Sequence, residues 1–294
     1  MINFGKYQLW DFRGDEVDEV SKAISNGEVD GVFIGRSRGF LKSSLECLLG
    51  IKNLSVLAIG DVLNIEVNAL NLLKNLEFLS IGEVSSKCEI NLLNFSNLKQ
   101  LSFAQQKNIN LPPSGLPKLK ELAIWSFSGV TLEIMNAYLQ LERLELIQAK
   151  KLEALSGLDA CIKLKHASFA YCPKLVDINA LQELINLETL DIEKAQKIKS
   201  HISIEFLTEL KKLRLNNVGA LTDLNFVSKL TKLESFVLRG SPLMSNDLKP
   251  LLKLPKLNHI YLDQKTAYQP TLSEINELVA SRNLTMKIRP IHTN

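Results

Sequence analysis

The sequence predicts an α/β solenoid: a curved horseshoe of stacked repeats, with a parallel β-sheet on its concave face and short helices or turns on its convex face. Two observations predict it. A pattern of large apolar residues spaced as in "LETLDI", which begins at Leu187, recurs eleven times between residues 29 and 270, and self-similarity at a fixed period is the signature of repeat architectures. Eleven residues after the start of a copy stands a second apolar column of Ile65, Ile109, Val130, Leu152, Leu175, Ile198, Leu221 and Met244, broken only by Lys87.

The copies begin at Val29, Leu54, Leu76, Leu98, Leu119, Leu141, Leu164, Leu187, Leu210, Leu233 and Leu257, a near-constant spacing that is loosest at the two ends. Each supplies one short strand. Side chains alternate along a strand, so the fourth and sixth residues of a copy share the buried face and the third, fifth and seventh share the other. A single unit cannot bury its apolar face, whereas stacked units share a continuous core. On the convex side, "DINALQEL" and "DLNFVSKL" place Asp177 or Asn179, and Asp223 or Asn225, where an N-cap accepts backbone hydrogen bonds.

The ends read as caps, giving one continuous domain: residues 1–28 a helical cap, 29–270 the repeats, and 271–294 a helix-and-strand cap. "GDEVDEVSKAISNG" predicts an amphipathic helix with Val17, Val20 and Ile24 on one face and Gly27 as its stop. Thr271 with Glu274 forms a capping box for a helix through about Ala280, followed by a short strand "TMKIR".

Eleven copies of L-x-x-L-x-L in register resemble the leucine-rich repeat family. The resemblance covers most of the chain and implies recognition of a macromolecule on the concave face. The sequence departs from the family in one column. The family places Asn or Cys at the ninth position of the repeat, where the side chain satisfies the turn backbone. Here that column reads Val62, Val84, Gln106, Phe127, Ala149, Cys172, Ala195, Val218 and Ser241, so the turn backbone must find other partners.

The residues narrow the function by exclusion. A net charge of +3, with Lys and Arg scattered along the chain, gives no footprint for nucleic acid or an anionic membrane. No stretch is long and apolar enough for a transmembrane helix, and the start lacks the basic and apolar regions of a secretory signal. Cys47, Cys88, Cys161 and Cys172 form no close pair, which points to a reducing cytoplasm. His166, His201, His259 and His292 match no metal spacing, and no nucleophile elbow or phosphate loop is present. Gly35 and Gly39 of "GVFIGRSRGF" are four apart, which fits neither glycine-rich fingerprint, and Arg36 and Arg38 read as solvated arginines in a turn. No catalytic residue, cofactor or metal is nominated.

A binding face remains. Its predicted contact residues are Phe33, Phe78, Trp125, Arg143, Glu145, His166, Tyr171, Asp191, Arg214, Arg239, His259 and Tyr261, small or apolar in the first four copies and polar or aromatic thereafter. Exposed Trp, Tyr and Arg dominate binding hot spots. Two structural alternatives stand beside this reading: Trp125 packs against convex or adjacent-repeat groups, and Asp191 pairs with Arg214 across adjacent strands. The second-position charges Glu77, Lys99, Lys120, Glu142, Lys165, Glu188, Lys211 and Glu234 read as a cross-strand ladder. The sequence therefore predicts a non-enzymatic module, monomeric when free, that binds a protein as an inhibitor, an immunity-type neutraliser or an adaptor. The alternatives are a self-assembling repeat protein and an unrecognised enzyme.

Overall fold

A computed structural model describes residues 1–62, 65–82, 84 and 89–288, with side chains to residue 281. Lys87, Cys88 and His292 lie outside the described residues. The chain divides into two compact units, Met1–Phe127 and Ser128–Asn294.

In the first unit the strands lie in chain order: β1 (Ile2–Phe4), β2 (Tyr7–Asp11), β3 (Gly31–Ile34), β4 (Val56–Ile59), β5 (Phe78–Ile81), β6 (Gln100–Ala104) and β7 (Glu121–Trp125). β1 and β2 form an antiparallel hairpin with the register Phe4↔Tyr7, and every later pair is parallel. The second unit continues the pattern with β8 (Arg143–Ile147), β9 (His166–Ala170), β10 (Thr189–Ala195), β11 (Lys212–Val218), β12 (Ser235–Arg239) and β13 (His259–Leu262), all parallel. Registers advance by whole repeats: Leu190 sits between Ala167 and Leu213, and Ile192 between Phe169 and Leu215. Leu190, Leu213, Ile192, Phe169 and Leu215 are at most 1% exposed. Removing any one of these leucines to Ala costs about 2–5 kcal/mol.

The convex segments are single 3₁₀ turns such as Asn179–Glu183, Ile202–Phe206 and Asn225–Lys229. Repeats this short leave too little chain for longer helices. The N-cap residues are Ile178 and Leu224, whose side chains make no cap bond; Asp177 and Asp223, one residue earlier, accept instead, from Asn179 N–H at 2.8 Å and Asn225 N–H at 2.7 Å. In the second apolar column, Val130 and Met244 are 50% and 65% exposed. The turns before them slip by one residue relative to their neighbours, and Leu243 pairs with Leu221 in place of Met244.

The turns after the strands solve the problem left by the missing asparagine ladder. The eighth residue of the repeat is left-handed at Ser126, Gln148, Tyr171, Lys194, Asn217 and Gly240. At Gln148 and Tyr171 its N–H donates to the next repeat's seventh carbonyl, that of Ala170 and of Glu193, both at 2.8 Å, whereas Gly240 N–H donates to the Asp263 carboxylate. The ninth carbonyl then accepts from the twelfth N–H, as in Cys172 to Leu175 at 3.0 Å. Side chains help at other turns as well. Gln106 donates to the Gly82 and Ala104 carbonyls, and the Ser241 hydroxyl accepts from Val218 N–H at 2.9 Å. A left-handed side-chain residue costs roughly 1–2 kcal/mol, which glycine avoids in part. Gln148→Gly is therefore expected to stabilise the chain by about 0.5–1 kcal/mol, measured by urea denaturation.

The ends differ from expectation in two ways. Helix α1 (Val17–Ser25) forms, buries Val20, and ends in a Schellman-type pair in which Gly27 N–H donates to Ile24 and Glu28 N–H to Ala23. The β1–β2 hairpin precedes it, adding a strand edge absent from the helical-cap reading. After α2 (Lys249–Leu252), the Thr271–Glu274 capping box is in place, with Thr271 N–H on Glu274 at 2.8 Å. Helix α3 then runs Leu272–Ile288, so 285–288 are helical and not the predicted strand; Arg289 lies outside the described residues. No glycine or proline interrupts the chain between Pro270 and Pro290, so nothing stops the helix earlier.

Candidate partner-binding surface

The third, fifth and seventh residues of the repeats form the open face of each unit's sheet. In the first unit this face is largely covered by the chain itself. Leu9 of β2 pairs in register with Gly31 and packs with Val56, Ala58 and Phe78, all of them buried. The hairpin curls over them. Phe4 meets Phe78 edge-on at 5.9 Å, Tyr7 lies 4.7 Å from the same ring, and the Tyr7 hydroxyl donates to the Gln100 side-chain carbonyl. Burial raises the Tyr7 pKa, helped by Glu121, Asp30 and Glu77. Phe78, expected as a contact residue, therefore has no surface to offer while the hairpin is seated. Phe33 is half-covered by Phe4 at 6.3 Å and by the Arg38 guanidinium at 5.7 Å. A contiguous apolar face left to solvent is unfavourable, and the nearest segment with matching aromatics covers it. The signal was present in "INFGKYQL": two alternating runs flank Gly5-Lys6, a two-residue hairpin loop.

The "GRSRGF" turn is internally satisfied. Asp61 accepts from Ser37 N–H at 3.0 Å and from its hydroxyl at 3.1 Å, while Arg38 reaches Asp11 at 3.4 Å. Trp125, at the end of β7, is 40% exposed.

The second unit's face is open and charged. Arg143 and Glu145 pair along β8 at 3.1 Å, and Arg214 reaches Asp191 across β10–β11 at 2.8 Å. Burial raises the Asp191 pKa, against the pull of Arg214 and with the push of Glu193 and Glu145. His166, in register with Arg143 and Thr189, is half-buried. Arg239, His259 and Tyr261 are exposed along β12 and β13, Tyr261 at 48%. Tyr171 is 43% exposed and left-handed at φ 58°. The Lys194 ammonium sits 3.9 Å from its ring centroid and 2.8 Å from its hydroxyl. Beside them runs a groove of about 390 Å³ lined by Lys150, Tyr171, Pro173, Lys194, Gln196 and Asn217.

The charge ladder forms within each unit: Lys99 meets Glu77 at 2.7 Å, Lys165 meets Glu142 at 3.9 Å, and Lys211 meets Glu188 at 2.8 Å. Such exposed pairs contribute about 0–1 kcal/mol each, so they set register more than stability. Cys161 and Cys172 are fully buried, and burial pushes their thiols up to about 12 and about 11, far from nucleophilic range. The stretch "LKHASFAYCPKL" thus divides across the sheet: Cys172 faces the core, while His166 and Tyr171 face out. His201 is 6% exposed and stacks on Phe226 at 6.3 Å. Burial lowers its pKa to about 4, and its Nε2 has no hydrogen-bond partner among the described residues. Among the described residues no three His, Cys, Asp or Glu side chains gather as metal ligands, and no helix is long and apolar enough to cross a membrane.

No protein-family model and no curated protein matches the sequence. Solved structures do. The chain is similar to a Leptospira interrogans leucine-rich repeat protein at 19% identity and a TM-score of 0.61, over 87% of this chain and 71% of that one. The chain has the leucine-rich repeat fold. It is also similar to an internalin, InlF, of Listeria monocytogenes, at 18% identity and a TM-score of 0.54, over 85% of this chain and 81% of that one. In this leucine-rich repeat chain the ninth-position asparagine has given way to backbone ladders and left-handed eighth residues.

Proposed function

We propose that the chain is a non-enzymatic protein-binding module whose contact residues stand on the open faces of its strands, acting as an inhibitor, a neutraliser or an adaptor. The observation that carries this reading is the set of unburied aromatics on those faces and at their edge: Trp125 and Tyr261 on strands and Tyr171 in the turn after β9 are 40%, 48% and 43% exposed. Large rings of this kind supply much contact area at low entropic cost. Arg143, Arg214 and Arg239 add charged hydrogen bonds and His259 a further ring donor, with Glu145 and Asp191 of opposite sign for register. Unpaired thiols at Cys47, Cys161 and Cys172 favour a cytoplasmic setting.

Trp125→Asp and Tyr261→Asp, each made singly, are expected to weaken capture of the native partner by about tenfold or more, while circular dichroism stays unchanged. The measurement is affinity capture from the source cell with identification of the bound chain, followed by titration of that chain against each variant. Undiminished binding to both variants contradicts the reading.

A further inference from the structure

We propose that the carboxyl edge of strands β8 to β10 is a basic ridge that docks an acidic segment of a protein partner. The inference rests on the protein-binding reading above and adds the chemistry of the partner.

The ridge is built by the repeat. Lys151, Lys174 and Lys197 are the eleventh residues of three consecutive copies, each one repeat from the next, and all are exposed. Neighbouring parallel strands lie about 4.8 Å apart, so this spacing converts into a row about 10 Å long. Lys150 and Lys194 stand beside it, exposed, on the wall of the groove that contains Tyr171. Charges that read as scattered along the chain are gathered by the fold.

Little of this charge is neutralised internally. Lys174 meets Glu153 at 3.9 Å with both side chains about half exposed, a pair worth little. Lys194 rests on Tyr171. No carboxylate among the described residues comes within ion-pairing distance of Lys150, Lys151 or Lys197. The groove beside the ridge has an aromatic wall and two ammonium groups but no acid, which suits a side chain with an apolar stem and a carboxylate tip. An arriving carboxylate would take Lys194 from the neutral Tyr171 hydroxyl, exchanging a neutral acceptor for a stronger charge-assisted one.

Two further features favour this occupant. Tyr171 and Lys194 hold left-handed backbone at φ 58° and 53°, where the later repeats use Asn217 and Gly240. A ring and an ammonium are thus kept where asparagine or glycine would fold at lower cost. On the adjoining face stand Glu145, Asp191 and Glu193. A polyphosphate chain laid along the ridge would meet them with like charge, whereas a protein segment can turn its own basic residues toward them.

The test is fluorescence anisotropy on the full chain with two probes, a labelled twelve-residue peptide of Glu and Asp bearing one Phe, and a single-stranded oligonucleotide of equal charge. Peptide binding is expected in about 50 mM salt and should weaken at least about tenfold at about 300 mM. It should fall by about tenfold or more in the triple variant Lys151→Glu, Lys174→Glu, Lys197→Glu, and stay unchanged in Lys256→Glu, at an exposed lysine outside the ridge and outside the proposed contact residues. The substituted lysines are exposed, so the triple variant should retain wild-type circular dichroism. Unchanged peptide binding by the folded triple variant, no binding at low salt, or tighter binding of the oligonucleotide would each overturn the ridge. Loss of the captured partner in Tyr261→Asp but not in the triple variant would also overturn it, while leaving the open-face reading intact.

Discussion

Replacing Phe4 and Tyr7 together by Ala is expected to destabilise the chain by about 3 kcal/mol and to make it bind a hydrophobic dye. The estimate follows from what the two rings cover. Together they seal Phe78, at 8% exposed, and border Leu9, Val56 and Ala58. Truncating a well-buried aromatic costs about 3–5 kcal/mol, and tilted or edge-on pairs add about 0.5–1.5 kcal/mol each. Phe4 and Tyr7 are only partly buried, which brings the sum for two rings down to the lower figure. Loss of the Tyr7 hydroxyl also leaves the Gln100 side chain, 9% exposed, without that donor. Urea denaturation measures the first effect and dye fluorescence the second. A double variant with unchanged midpoint and no added dye binding would show that the hairpin does not seal the first unit's face.

The second large effect is a loss of stability in acid that depends on His201. Its folded pKa of about 4 lies below the ordinary value of 6.5, because burial against Phe226 disfavours the imidazolium. Between pH 6.5 and 4 the unfolded chain therefore binds a proton that the folded chain does not, and stability falls as pH falls through this window. The full loss is about 3 kcal/mol, complete below about pH 4. Lys199 and Asp223 line the same cleft, so a His201→Phe variant isolates the imidazole from them. Chemical denaturation at pH 7.0 and pH 4.5 should show this component in the wild type and not in the variant. Equal acid sensitivity in both would contradict the assignment.

The repeat was legible because each of its physical requirements recurs. A leucine at 187, 190 or 213 meets the same core as its counterparts one repeat away, so the pattern is read many times over. Features that occur once carry no such redundancy. The β1–β2 hairpin is a single event, and its Gly5-Lys6 loop was overshadowed by the helix that follows. Phe78 occupies an outward position by pattern, and only the tertiary placement of Tyr7 and Phe4 buries it. The end of α3 had no punctuating residue before Pro290, so a mixed segment such as "TMKIR" stayed helical through Ile288. Of the predicted contact residues, those of β8 to β13 stand on an open face, where Asp191 and Arg214 also form the cross-strand pair anticipated as the alternative. The basic ridge was hidden for the opposite reason: Lys151, Lys174 and Lys197 are far apart in sequence and adjacent only after stacking.

Hydrogen exchange of the full chain, free and bound to its captured partner, tests the central claim most directly. Binding on the open strand faces predicts new protection at Trp125 in β7, in β8 to β13 and in the turns that carry Tyr171 and Lys194, with exchange in residues 2–11 unchanged. Protection confined to β3 to β6, together with faster exchange in residues 2–11, would mean that the partner displaces the hairpin and uses the apolar face beneath it, and would contradict the account.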